Sequence, residues 1–262
     1  MSRREKMSSK SAQVNSQNKT LLVLGAKSDI ASAVAHEFAR HKFDVILAAR
    51  NAADELLAAM KTDLEIRYQI EAYTAEFDAE DFDSHAEFYE NLPAPPDVVL
   101  CAFGYLGEQS EAEKSWTETA RIINANYVGA VSILNHAAND FEKRQTGSIV
   151  GISSVAGERG RASNYIYGSA KSGFSVFLDG LRHRLSRANV NVITVKPGFV
   201  ETKMTAGMDL PKILTAKPAQ LGKAIFKAYE KKRSTLYYLP AWRFIMFVIR
   251  NVPEFVFQKT KM

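Results

Sequence analysis

Thr20-Leu21-Leu22-Val23-Leu24-Gly25-Ala26-Lys27-Ser28-Asp29-Ile30-Ala31 is the stretch whose reading decides the fold. Its first five residues form an apolar run without polar alternation, the mark of a strand buried on both faces. Gly25 ends the run, and apolar residues at helical spacing continue over 30–40. A glycine at such a junction lets the backbone turn sharply. The free N–H groups of the following helix start then offer a seat for a pyrophosphate. With a single glycine, an ordinary strand-to-helix turn capped by Ser28 or Asp29 explains the segment equally well.

Working outward, the pattern repeats. Apolar runs at 44–49, 68–77, 97–102, 147–152 and 190–196 read as strands. Helix-length segments at 52–61, 80–91, 113–144 and 165–187 separate them. Buried strands alternating with helices predict an α/β domain over residues 20–240, a doubly wound parallel sheet with helices on both faces. No internal repeat and no linker divides that span.

Charge is unevenly placed along the 262 residues. The chain carries a net +5, but residues 1–19 hold +4, residues 211–262 hold +9, and residues 20–210 hold −8. An acidic body argues against a nucleic-acid face. Residues 1–19 read as a disordered basic leader with no apolar stretch of signal-peptide length. The lone Cys101 excludes an internal disulfide and reads as a small buried hydrophobe. No metal is expected.

Two further segments carry chemistry. The second strand ends in Ala48-Ala49-Arg50-Asn51, where an acidic residue would have favoured a ribose 2′-hydroxyl. Arg50, with Lys27 as a second cation, favours a 2′-phosphate, hence NADP(H) over NAD(H). Farther on stand Ser153-Ser154-Val155-Ala156-Gly157 and Tyr167-Gly168-Ser169-Ala170-Lys171. Tyr167 and Lys171, four residues apart, share a helix face. Ser154 lies just past a strand end, where ligands sit in open parallel sheets. A cation one turn from a phenol can lower its pKa toward working pH.

These motifs together resemble the short-chain dehydrogenase/reductase family over residues 20–240. The resemblance implies a Rossmann-type fold, a nicotinamide cofactor and hydride transfer between carbonyl and alcohol. Carried over by motif, Tyr167 would be the acid/base, Lys171 would lower its pKa and hold the nicotinamide ribose, and Ser154 would polarise the carbonyl. Asn126, in Asn126-Tyr127-Val128-Gly129, would hold a water of the proton relay. Gly25, Lys27, Ser28, Asp29, Ile30, Arg50, Asp78, Ala102 and Gly104 would line the nucleotide half. Pro197, Val200 and Thr202, in Pro197-Gly198-Phe199-Val200-Glu201-Thr202, would meet the nicotinamide carboxamide. Two departures affect turn geometry: Asp29 and Ala31 replace two of the usual glycines, and Cys101-Ala102-Phe103-Gly104 replaces Asn-Asn-Ala-Gly.

Three segments resemble one subgroup, the polyprenyl-phosphate (decaprenylphosphoryl) 2-keto-ribose reductases: Ala102-Phe103-Gly104-Tyr105-Leu106-Gly107, Ala156-Gly157-Glu158-Arg159-Gly160-Arg161 and Pro240-Ala241-Trp242-Arg243-Phe244. That resemblance implies a lipid-linked keto-sugar from cell-wall precursor synthesis, a flavin-dependent oxidase as partner, and a homo-oligomer. Arg159 and Arg161, close after Ser154, are candidates for a substrate phosphate. Residues 241–262 form an apolar, aromatic tail punctuated by cations. It reads either as a helix lying on a membrane surface or as a helix closing the pocket or an oligomer interface. The expected protein is cytoplasmic, peripheral at the inner face of the membrane. A generic 3-ketoacyl or sterol-like ketone reductase is the alternative within the enzyme class; a membrane-associated scaffold subunit is the alternative outside it.

Overall fold

The computed structural model describes residues 18–207 and 209–260; most of the expected basic leader, residues 1–17, lies outside them. The chain runs through β1 (Thr20–Leu24), α1 (Asp29–Arg40), β2 (Asp44–Ala49), α2 (Glu55–Tyr68) and β3 (Ala72–Glu76). α3 (His85–Glu90), β4 (Val98–Cys101), α4 (Gln109–Ala112), α5 (Trp116–Ile123) and α6 (Gly129–Arg144) follow. Then come β5 (Gly147–Ile152), α7 (Tyr165–Leu185), β6 (Val190–Pro197), β7 (Phe199–Val200) and β8 (Thr215–Ala216). α8 (Pro218–Glu230), β9 (Thr235–Tyr238), α9 (Pro240–Asn251) and α10 (Glu254–Phe257) complete it.

The main sheet has the order β3-β2-β1-β4-β5-β6-β9, parallel throughout. Its strands lack polar alternation because both faces are covered. Leu21 and Val23 of β1 join one core with Val45 and Leu47 of β2, facing α1, α2 and α8. Leu22 and Leu24 join the other with Ile46 and Ala48, facing α6 and α7. All four β1 residues are fully buried, each worth about 2 kcal/mol of transfer free energy. Close helix packing relies on a missing side chain: a Cβ on Gly222 of α8 would meet the Ala33 carbonyl oxygen of α1 at 2.7 Å.

The single helical stretch expected over 113–144 is divided. Ser115 accepts from the Glu118 N–H and caps α5. Residues Asn124–Val128 widen into a π-helical turn before α6. The expected segment 52–61 also starts later and runs longer, because Asp54 caps α2 by accepting from the Leu56 N–H and Gln69 ends it in a left-handed conformation.

The apolar C-terminal residues pack in part against the body. Trp242 and Met246 of α9 are buried in a small cluster with Val155, Phe199, Leu214 and Tyr237. A Cβ on Gly198 would fall 1.9 Å from the Trp242 ring, so the indole lies flat on the glycine that follows β6. Its Nε1–H donates to the Leu214 carbonyl at 3.1 Å. Among the described residues no helix is long and apolar enough to cross a membrane.

Candidate active site

The chain places β2 and β3 on one side of β1 and β4 to β6 on the other, so the strand order reverses between β1 and β4. The loops leaving the carboxyl ends of those two strands diverge there and leave a crevice. They also touch. Gly25 has φ +85°, and a Cβ on it would sit 2.7 Å from the Phe103 backbone nitrogen. A side chain is excluded at Gly25 both by conformation and by space. Ser28 caps α1 by accepting from the Ala31 N–H.

Two connected cavities occupy this edge. The first, about 400 Å³, is lined by Gly25, Lys27, Ser28, Arg50, Asp78 and Ala102, among others. The second, about 210 Å³, is lined by Ile30, Ser154, Tyr167, Lys171, Pro197 and Thr202, with apolar walls from Leu106, Val155, Phe199 and Met204. Ser28, Ala102, Phe103, Gly104 and Met204 border both, which makes them one cleft.

The chemical groups converge at the end of β5. The Ser154 hydroxyl and the Tyr167 phenol line the same cavity, and Ser154 Oγ accepts from the Ala156 N–H at 3.1 Å. Lys171 is 4% exposed; its ammonium donates to the Ile152 carbonyl at 3.1 Å and lies 5.8 Å from the Tyr167 ring centroid. Glycines let the 154–157 turn rest on α7: a Cβ on Gly157 would meet the Ser172 nitrogen at 2.7 Å, and one on Gly168 the Ala156 carbonyl oxygen at 2.9 Å. Ser153 pins the same contact, bonding the Lys171 carbonyl at 3.0 Å and Ser175 at 2.7 Å.

Asn126 sits in the π-helical turn, buried. Its amide donates to the Tyr105 carbonyl at 2.5 Å and the Ile122 carbonyl at 2.8 Å, and its oxygen accepts from the Tyr105 N–H at 3.3 Å. Gly104 lies between this amide and the lysine: a Cβ there would be 2.6 Å from Asn126 Oδ1 and 3.3 Å from Lys171 Nζ.

Burial sets the ionisation of the pair. The Tyr167 phenol is pushed up to about 12 by desolvation, with the nearby Ser154 hydroxyl pulling the other way. The Lys171 amine is pushed down to about 8, again by desolvation. For the phenol, removal of the phenolate from water is the larger effect.

A family model described as short chain dehydrogenase matches residues 19–211. The chain belongs to the short-chain dehydrogenase family. An uncharacterized oxidoreductase of Mycobacterium tuberculosis is 34% identical to it over 242 residues, 91% of this chain and 96% of that protein. Another, of Streptomyces coelicolor, is 34% identical over 245 residues, 92% and 95% of the two chains. Among solved structures, a short-chain dehydrogenase from Sphingobium yanoikuyae in complex with NADPH matches with a TM-score of 0.77 at 22% identity, over 90% of this chain and 97% of that one. That likeness is one of fold. As a short-chain dehydrogenase, this chain is an NAD(P)-dependent oxidoreductase.

The cleft fits such a dinucleotide. Gly25 and Gly104 line it, at points where the chain packs too closely for a side chain. The Asp29 and Ile30 N–H groups at the start of α1 have no acceptor among the described residues, which suits a pyrophosphate. Arg50 is exposed on the cavity wall. Asp78 is held in place on two sides: its Oδ1 accepts from the Glu80 N–H at 3.0 Å, and its carbonyl lies 2.9 Å from the buried His85 Nε2.

Several short-chain dehydrogenase positions depart from expectation. Asp29 lines neither cavity of the cleft. Its carboxylate accepts the Lys203 N–H at 2.7 Å and so ties the start of α1 to the Lys203–Thr205 turn. Lys27 borders the cleft with its ammonium ion-paired to Asp54 at 2.5 Å, so Arg50 is the less encumbered cation. Both amide hydrogens of Asn126 are taken by protein carbonyls, so its side chain braces the Tyr105 loop. The Val200 carbonyl accepts from the Thr205 hydroxyl at 2.6 Å, and Thr202 forms a capping box with Thr205 while lining the cavity.

Arg159 is the clearest correction. Its guanidinium donates to the Ile249 and Val252 carbonyls at 2.6 Å each, pairs with Glu254 at 2.9 Å and covers the Phe257 ring at 3.8 Å. It closes the end of α9 and borders neither cavity of the cleft. Arg161 does not border the cleft either; its buried Nε finds no partner among the described residues. Sequence reasoning missed Phe103, Leu106, Met204 and Arg121. Arg121 reaches the first cavity and lies 4.1 Å over the Tyr105 ring. Among the described residues no group of His, Cys, Asp and Glu is placed to hold a metal ion.

Proposed function

We propose that this enzyme reduces a ketone with NADPH, with Tyr167 as proton donor and Ser154 as the group that holds the carbonyl oxygen. The observation that carries the reading is that Ser154, Tyr167 and Lys171 line one cavity at the end of β5, which continues into the nucleotide-sized cleft. The bound nicotinamide supplies the hydride. The chain's own groups do the rest. The Ser154 hydroxyl donates to the carbonyl oxygen and polarises it. The Tyr167 phenol, kept protonated through neutral pH by burial, gives that oxygen its proton as the carbon becomes tetrahedral. Lys171 has donor capacity beyond its bond to Ile152 and would hold the ribose next to the ring. Asn126 would keep the Tyr105 loop, and with it Gly104, against the lysine.

NADPH is the proposed cofactor because Arg50 stands where a 2′-phosphate would lie and no acid replaces it. The NADPH-bound Sphingobium structure and an NADP-dependent 3-hydroxy acid dehydrogenase of Schizosaccharomyces pombe, 28% identical over 192 residues, support that choice.

The proposed substrate is a ketone joined to a large apolar group, a polyprenyl-phosphate-linked keto-sugar of cell-wall precursor synthesis. The apolar wall of Leu106, Val155, Phe199 and Met204 supports it, as do the three subgroup-like segments at 102–107, 156–161 and 240–244. A flavin-dependent oxidase acting on the sugar hydroxyl would produce such a ketone. The test is cofactor oxidation, NADPH beside NADH, with a lipid-linked keto-sugar, a 3-ketoacyl thioester, a sterol ketone and small cyclic ketones. Turnover of the lipid-linked ketone at least tenfold above the others supports the substrate. Equal or better turnover of the ketoacyl thioester or the sterol moves the enzyme to the generic class, and no oxidation with any ketone defeats the reading.

A further inference from the structure

We infer that the outer face of α9 and the groove beside it form a docking surface for a membrane carrying anionic lipid. α9 has two apolar faces. Trp242, Ile245, Met246 and Ile249 point inward. Phe244, Phe247 and Val248 point outward and are 70%, 66% and 46% exposed. At about 100° per residue these three share one side of the helix, opposite Trp242. Phe255 of α10 is 69% exposed as well. Apolar groups of this size left in water on one helix face mark a surface with a partner.

The charge beside that face indicates the partner. A groove of about 1000 Å³ runs between α9 and β9, the edge strand of the sheet, and is lined by Phe244 and Phe247 together with Lys196, Arg233, Arg243 and Arg250. Its carboxylate is Glu158, which pairs with Lys196 and, at 3.1 Å, with Arg250. Arg233 and Arg243 are exposed, and neither guanidinium has an acidic partner among the described residues. Aromatic side chains ready to enter an acyl boundary, next to unneutralised arginines at headgroup level, match an interfacial helix on anionic lipid. A symmetric pairing of two copies through this face would set the same arginines of both against one another, which disfavours a second copy as occupant.

The inference stands apart from the ketone reading, since neither Arg233 nor Arg243 borders the cofactor or substrate cavity. The full chain is sedimented with vesicles of phosphatidylcholine alone and of phosphatidylcholine with phosphatidylglycerol. NADPH oxidation with a soluble ketone is followed in parallel. The expected result is binding to the anionic vesicles only, weakened roughly tenfold or more in Arg233→Glu/Arg243→Glu. Phe244→Ser/Phe247→Ser weakens it too, and both variants keep the wild-type melting temperature and soluble-ketone rate. Equal binding to both vesicle types, or unweakened binding by the arginine variant, overturns the inference. So does competition by free inorganic phosphate at low millimolar concentration, which would make the groove a soluble-anion site. A concentration-dependent dimer broken by the same substitutions, without vesicle binding, would make the face a contact between copies and overturn it as well.

Discussion

Tyr167 and Lys171 show how one environment moves two groups in opposite directions. Both lose water; the phenol goes up to about 12 and the amine down to about 8. The lysine has a consequence for stability. Unfolded, it stays charged up to about pH 10.5; folded, only up to about pH 8. Between those values the unfolded chain binds more protons, so the contribution of Lys171 to stability rises with pH across that window. Thermal melts of the wild type and Lys171→Met, run between about pH 8 and about pH 10, should show the wild type gaining on the variant. A gap that stays constant or closes the other way contradicts the shift. The pairing of these two residues is legible in the sequence because helix periodicity alone puts Tyr167 and Lys171 on one face. The direction of Arg159 is not legible in that way. Nearness in sequence to Ser154 says nothing of which way a long side chain turns, and α9, more than 80 residues later, claims it. Phe103 and Leu106 stand in a segment quoted only for its resemblance and Met204 in none; the tertiary fold brings all three to the cleft.

At the level of elements, turns and caps decide what the apolar runs leave open. The strands are readable as runs because both faces of the sheet are covered, and β1, β2 and β5 fall at the expected limits. The break between α5 and α6 is not, since a π-helical turn keeps the chain helical and shifts the side-chain register only locally, at Asn126 and its neighbours. The short β9, with its apolar-polar mixture of Thr235–Tyr238, also lacks the run that marks the other strands. The strand-to-helix turn where Asp29 stands in place of a glycine has its own outcome. The carboxylate faces away from the nucleotide side and takes the Lys203 N–H, which places Thr202, Met204 and Thr205 on the substrate cavity. Steady-state kinetics of Asp29→Ala should show the KM for ketone raised by roughly threefold to tenfold, because the freed turn samples open states. Cofactor affinity should change by less than about twofold. An unchanged ketone KM, or a loss confined to cofactor, would contradict this clamp.

For the molecule as a whole, the basic charge of the C-terminal part takes on a location. Part of the +9 of residues 211–262 gathers on one groove beside exposed phenylalanines. The inner side of the same helix closes the fold over Gly198, so the C-terminal segment serves two surfaces at once. The sequence left open a membrane helix and a pocket-closing helix; one side of α9 packs on Val155 and Phe199 without lining the cleft, and the opposite side carries the exposed Phe244 and Phe247. Truncation before Trp242 would therefore remove core as well as surface. Trp242→Ala should lower stability by about 3–5 kcal/mol in denaturant unfolding. A loss under about 1 kcal/mol would mean that α9 is not packed on the body.

The central claim is that Tyr167 gives the proton in an NADPH-dependent ketone reduction. It is tested most directly by comparing the wild type with Tyr167→Phe, measuring NADPH oxidation with the best ketone found and NADPH binding by fluorescence. The account predicts a fall in kcat of roughly 10²-fold to 10⁴-fold with NADPH affinity retained. A Tyr167→Phe enzyme that reduces the ketone at the wild-type rate would contradict it.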